Sequence, residues 1–157
     1  MSDILAVAAM IGVLAAVFQL RQVRKQRKRE FEDLFVQRYW SIMDRLSTSA
    51  LESVPHSGAI RDEDRRAVIA YFRLSEDELD LRARNWISRD AWELWRDGIA
   101  TQLRRWPFDE IWREVAERES QAGADGQFVQ LRRADIEIYQ EGFDPRTEPT
   151  WWHWRGR

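Results

Sequence analysis

The chain has 157 residues, 25 basic and 27 acidic side chains, a formal charge of −2 and no cysteine. Disulfides, thiolate metal sites and cysteine nucleophiles are therefore excluded. A chain of this length buries one core, and nine Trp, seven Phe and three Tyr supply large pieces for it; one domain plus an anchor is the economical count.

Residues 4–20 (ILAVAAMIGVLAAVFQL) form an apolar run of 17 residues in which only Gln19 is polar. As a helix the run spans roughly 26 Å against a hydrocarbon core of about 30 Å, short but sufficient for a transmembrane span. Arg21, Arg24, Lys25, Arg27, Lys28 and Arg29 follow at once, while Asp3 precedes the run. A cleaved signal peptide has the opposite charge order, so the expectation is an uncleaved anchor. Cations beside a span favour the cytoplasm, which places the amino terminus outside and the remaining chain on the cytoplasmic side of the inner membrane. A soluble protein with a buried core helix is the competing reading, and the adjacent cations argue against it. Within the run Ala8, Gly12 and Ala16 recur every four residues, the small-residue spacing that lets transmembrane helices pack closely.

Residues 21–29 carry a charge of +6, whereas residues 30–157 hold 19 basic and 26 acidic residues, a net of −7. A basic collar is attracted to an anionic inner leaflet by about 1 kcal/mol per cation. The acidic domain beyond it is repelled.

Phe31, Leu34, Phe35, Tyr39, Ile42, Met43 and Leu46 recur at helical spacing, and neither Pro nor Gly lies between Gly12 and Pro55. The anchor thus continues into an amphipathic helix. Residues 47–59, with Pro55, Gly58 and four serines, read as a loop. From Asp62 a new element carries Val68, Ile69 and Phe72, and the Ser75-x-x-Glu78 pattern matches a capping box, so one kinked helix or two both fit. Ser88 is placed to cap a helix whose Trp92, Trp95, Ile99 and Leu103 share a face, and Pro107 ends it or opens another. Residues 109–119 place Ile111, Trp112 and Val115 on one side, with Gly123 and Gly126 closing the helix. Residues 127–140 read as a helix, although Ile136 and Ile138 alternate like a strand. Residues 142–157 hold two prolines and read as an irregular tail, in which Trp151, Trp152 and Trp154 beside Arg155 and Arg157 suit an interfacial anchor.

The predicted architecture is all-α. A single transmembrane helix and collar (residues 1–29) lead through an amphipathic helix into a compact Trp-rich domain of about four helices (30–141), followed by the tail (142–157).

The stretch Tyr71-Phe72-Arg73-Leu74-Ser75-Glu76-Asp77-Glu78-Leu79, with Ile87-Ser88, Trp92, Trp95 and Gly98-Ile99, resembles small uncharacterised bacterial proteins with an amino-terminal membrane helix and a compact helical domain. The resemblance implies this architecture and neither an activity nor a site residue.

Motifs with a chemical mechanism are missing. His56 and His153 are the only histidines, and neither stands in an E-x-x-H or H-E-x-x-H pattern. Ser57 adjoins His56, but adjacency does not build a triad, and G-x-S-x-G, G-x-x-x-x-G-K and G-x-G-x-x-G are all absent. No metal ligand set and no cofactor is therefore expected. The clusters Asp62-Glu63-Asp64 and Glu76-Asp77-Glu78 read as acids at helix starts, where the dipole favours them. Arg104-Arg105-Trp106, Arg132-Arg133 and Trp154-Arg155 pair cations with aromatics as single-strand binders do, yet the acidic net charge argues against nucleic acid.

The expectation is a membrane-anchored cytosolic interaction module, not an enzyme: a scaffold, adaptor or accessory subunit that meets a protein partner or its own copy. The alternatives are a membrane-tethered enzyme whose site joins scattered Arg and carboxylates around an acid of shifted pKa, and a binder of anionic membrane or nucleic-acid surfaces.

Overall fold

The structure, a computed structural model, describes residues 2–55, 58–122 and 126–148, with the side chains of residues 2–15 outside that description. All regular structure among the described residues is helical.

The first helix, α1 (Ser2–Met43), runs 42 residues without interruption, as the absence of proline before residue 55 permits. Apolar run, collar and amphipathic stripe therefore share one rod. Its inner end packs through Phe35, Ile42 and Met43, joined by Leu46 from the turn that follows. Spacings of seven, one and three residues put these four side chains on one face.

The expected loop at 47–59 contains a helix of its own, α2 (Thr48–Glu52). Ser47 caps it, the hydroxyl accepting from the Ala50 amide at 3.3 Å. Ser47 is itself held by Asp64, which accepts from its amide at 2.7 Å and its hydroxyl at 2.8 Å.

The segment from Asp62 is one helix, α3 (Asp62–Ala83). The Ser75–Glu78 capping box is thereby corrected, because both residues lie in the helix interior and are buried. A capping box is a local pattern, and here the stripe that continues through it decides the outcome. Positions 68, 71, 72, 75, 78, 79 and 82 all face inward.

Helix α3 is the hub, in contact with α1 and with three later helices. It runs antiparallel to α1: Asp64 near its start meets Ser47 just beyond the end of α1, and Asn85 just past its end meets Lys28 at 3.4 Å. The turn after α3 therefore lies beside the collar. Ser88 caps α4 (Arg89–Gln102) as expected, accepting from the Ala91 amide at 3.3 Å. The Ser88 amide donates to Glu32 of α1 at 2.6 Å, while Arg105, beyond the far end of α4, donates to Ser53 at 2.9 Å. Helix α4 thus returns along α1, with Phe35 and Trp95 stacked at 5.7 Å.

Pro107 opens α5 (Phe108–Gln121), which buries Ile111, Trp112 and Val115 as predicted. Of the two glycines expected to close it, Gly123 lies outside the described residues. At Gly126 a Cβ would overlap the Glu119 carbonyl, so only glycine fits. The last element, α6 (Val129–Glu137), is helical despite the strand-like alternation: Ile138 is buried while Ile136 is exposed. Phe72, Trp112 and Phe128 meet edge to face at 5.0–6.3 Å where α3, α5 and the start of α6 converge.

The first part of the expected tail is anchored. Trp92 donates its indole N–H to the Phe143 carbonyl at 2.9 Å, and Asp144 grips Arg82.

Candidate functional site

Among the described residues, two concave surfaces lined by α1 stand out. The first is a cavity of about 300 Å³ between α1, α3 and α4. Helix α1 contributes Phe35, Val36, Tyr39 and Trp40, α3 contributes Tyr71 and Glu78, and α4 contributes Leu94, Trp95, Gly98 and Ile99. Phe35, Tyr71, Glu78 and Ile99 are buried and form its floor, whereas Val36, Trp40 and Leu94 are exposed at its rim. Five of the ten lining residues are aromatic and one is an acid.

Glu78 is 6% exposed, and among the described residues no hydrogen-bond donor is paired with its carboxylate. Burial pushes its carboxyl up to about 8, the neighbouring Asp77 adds to the rise, and Arg38 opposes it from a distance. Arg38 is committed to Asp77 at 3.2 Å on the exposed side. The Tyr71 hydroxyl is likewise pushed well above its usual range, by burial first and by Glu78 second. A pocket holding an acid of shifted pKa was the requirement of the enzyme alternative, and Glu78 supplies that acid.

Gly98 lines the same cavity from the interior of α4. Glycine there costs about 1 kcal/mol relative to alanine. A Cβ at this position would meet nothing within 4 Å, so no close approach demands the glycine. It lines the cavity and adds no side chain to it.

The second surface is an open groove of about 800 Å³ where the collar meets the turn after α3. Arg24, Arg27, Lys28, Glu30, Phe31 and Leu34 line it from α1, facing Arg84, Asn85 and Trp86. Trp86 lies 6.0 Å from Phe31 and is largely exposed, an amphipathic ring among cations. Arg84 is paired with Asp80 at 2.8 Å, which leaves the α1 cations as the dominant charge.

Of the six expected collar residues, the groove gathers Arg24, Arg27 and Lys28, while Arg21, Lys25 and Arg29 are exposed outside it. Ala16 is exposed; the side chains of Ala8 and Gly12 lie outside the description, as do Trp151, Trp152 and Trp154. His56, Ser57 and His153 are outside it too. Among the described residues no cluster of three His, Asp or Glu side chains is placed to hold a metal.

Much of the cation–aromatic pattern weighed against a nucleic-acid role is engaged within the fold. Arg104 lies over the Tyr139 ring at 3.9 Å, Arg105 donates to Ser53, and Arg132 donates to the Glu119 carbonyl at 3.0 Å.

The acid cluster at 76–78 does not sit at a helix start. Glu76 accepts from the Gln130 and Leu131 amides at 2.8 and 2.7 Å, Asp77 pairs with Arg38, and Glu78 enters the cavity. The signal for this was the polar spacing Ser75, Glu78, Arg82 along the apolar stripe of α3, legible once the segment is taken as one helix.

Comparison with known protein families, curated proteins and solved structures finds no match to this chain. The functional reading therefore rests on geometry and charge.

Proposed function

We propose that the protein is a single-span, membrane-anchored helical module that holds an interaction domain against the cytoplasmic leaflet of the inner membrane. One observation carries this reading. On the single rod α1, Phe18 and Leu20 are 62% and 61% exposed, whereas Phe35, Ile42 and Met43 are buried in the domain. The described end of the apolar run, Ala16 to Leu20, is exposed and finds no cover among the described residues of its own domain, which argues against the buried-core alternative and favours lipid as its surroundings. Among the described residues no helix is long and apolar enough to cross a membrane, and most of the run at 4–20 falls on side chains outside the description.

The groove supports the same orientation. It adds Trp86 to the collar cations at the end of the domain nearest the apolar run, the combination that suits an anionic headgroup layer. Asp144 ties the start of the carboxyl-terminal segment to Arg82, near that same end, and Trp151, Trp152 and Trp154 enter the reading as further interfacial anchors. On the domain, the exposed cluster Val36, Trp40 and Leu94 is the surface offered to a protein partner or a second copy.

The test is alkaline carbonate extraction of native membranes combined with crosslinking in the same membranes. Retention in the carbonate-resistant pellet, with a crosslinked species above the monomer mass, is expected. Release into the supernatant ends the anchor reading, and a monomer without crosslinked partner ends the interaction reading.

A further inference from the structure

The cavity between α1, α3 and α4 is built for more than contact between apolar surfaces. Its floor places one carboxyl, that of Glu78, among Phe35, Tyr71 and Ile99. An apolar guest would leave that carboxyl desolvated and without a counter-charge. A guest with a positive head would supply one, and Tyr39, Trp40, Tyr71 and Trp95 bring to the lining aromatic rings of the kind that attract cations. Gly98 lines the cavity without a side chain to occupy it. A volume of about 300 Å³ lies at the lower edge of the range for small-molecule sites.

We propose that this cavity binds a small hydrophobic organic cation, an alkyl- or arylammonium ion, with its head against Glu78 and its apolar body on the surrounding aromatic rings.

Binding is then linked to protonation. With the Glu78 carboxyl protonated below about 8, docking of a cation releases that proton to the buffer and leaves the carboxylate paired with the guest. The charged and titratable groups facing Glu78 are Asp77 and Tyr71 from α3, and Arg38 and Tyr39 from α1. Helix α4 brings only Leu94, Trp95, Gly98 and Ile99 to the lining, none of which titrates. Affinity for a cation of fixed charge rises with pH until the carboxyl is ionised.

The experiment uses the full chain in nanodiscs of neutral phosphatidylcholine, with empty nanodiscs as control. The probes are benzyltrimethylammonium and its uncharged carbon isostere, neopentylbenzene, titrated by calorimetry and tryptophan fluorescence. At pH 9 the cation is expected to bind at least tenfold more tightly than the isostere, and at pH 6 at least tenfold more weakly than at pH 9. Glu78→Gln removes both the preference and the pH dependence. Gly98→Leu fills the cavity and removes binding of both probes while leaving Glu78 in place. Equal affinity for the two probes, no binding of either, or a preference that survives Glu78→Gln overturns the proposal. So does binding that survives Gly98→Leu. Circular dichroism of each variant confirms the helical fold; should Glu78→Gln unfold, the isostere comparison and Gly98→Leu decide the matter.

Discussion

The Arg82 guanidinium and the Asp144 carboxylate, 62 residues apart, form a nearly enclosed two-point ion pair, with side-chain exposures of 3% and 14%. Nε donates at 2.9 Å and a terminal nitrogen meets the second oxygen, while the other terminal nitrogen donates to the Ile87 carbonyl at 2.8 Å. One arginine thus joins α3, the turn beyond it and the carboxyl-terminal segment. Removing one partner of a buried pair leaves the other charge without compensation. Asp144→Ala is expected to cost about 3 kcal/mol in chemical unfolding followed by near-ultraviolet circular dichroism. A loss below about 1 kcal/mol would mean that water replaces the carboxylate without penalty.

Glu76 caps α6 from another helix. The residue before α6, Phe128, sits at φ 56° and offers no side-chain cap, so the first amides of α6 turn to the Glu76 carboxylate. Burial raises the Glu76 carboxyl above its usual range, and the two amide donors work against that rise. Glu76→Ala should destabilise the domain by about 1–2 kcal/mol and hasten hydrogen exchange at the Gln130 and Leu131 amides before others. Unchanged exchange at those two amides would show that α6 does not depend on this contact.

Glu78 makes stability fall as pH rises. Its folded value of about 8 lies above the ordinary 4.5, so between those values the folded state holds a proton that the unfolded state has lost. The favourable contribution is complete below about 4.5 and gone above about 8. Glu78→Gln, which keeps shape and stays neutral, removes this dependence and should stabilise the protein at pH 9 by a few kcal/mol, one pKa unit being about 1.4 kcal/mol. Thermal melts of wild type and variant at pH 5 and pH 9 check it: the two curves should lie close at pH 5 and separate at pH 9. A constant gap at both values would place Glu78 in water.

The elements whose signals are local were legible in the chain. Ser88 caps α4 because a cap needs only its own next turn, and Ile111, Trp112 and Val115 face inward because their spacing is helical. Long-range contacts decided the rest. Ser75 and Glu78 look like a helix start in isolation, yet α3 packs against α1, α4, α5 and α6, and that burial draws the helix straight through them. Arg84 and Trp86 carry no motif, and they join the collar only because α3 folds back antiparallel to α1. Gly98 is silent in sequence, and only the packing of α4 against α1 and α3 places it in the lining of the cavity.

The groove turns the collar from a charge count into a geometry. Arg24, Arg27 and Lys28 line it together, whereas Arg21, Lys25 and Arg29 are exposed elsewhere on the rod. If net charge alone governed lipid contact, neutralising either trio would act equally, at about 1 kcal/mol per cation. With the groove as the headgroup seat, replacing Arg24, Arg27 and Lys28 by Gln should lower copurifying phosphatidylglycerol several-fold more than replacing Arg21, Lys25 and Arg29. Trp86→Ala, which changes no charge, should also lower it, by removing the ring beside Phe31. Lipid analysis of the full chain purified in mild detergent at two salt concentrations measures all three variants. The groove trio should lose most of the salt dependence and Trp86→Ala should retain it, because screening acts on the cations and not on the ring. Equal losses for the two trios would return the collar to a simple matter of charge.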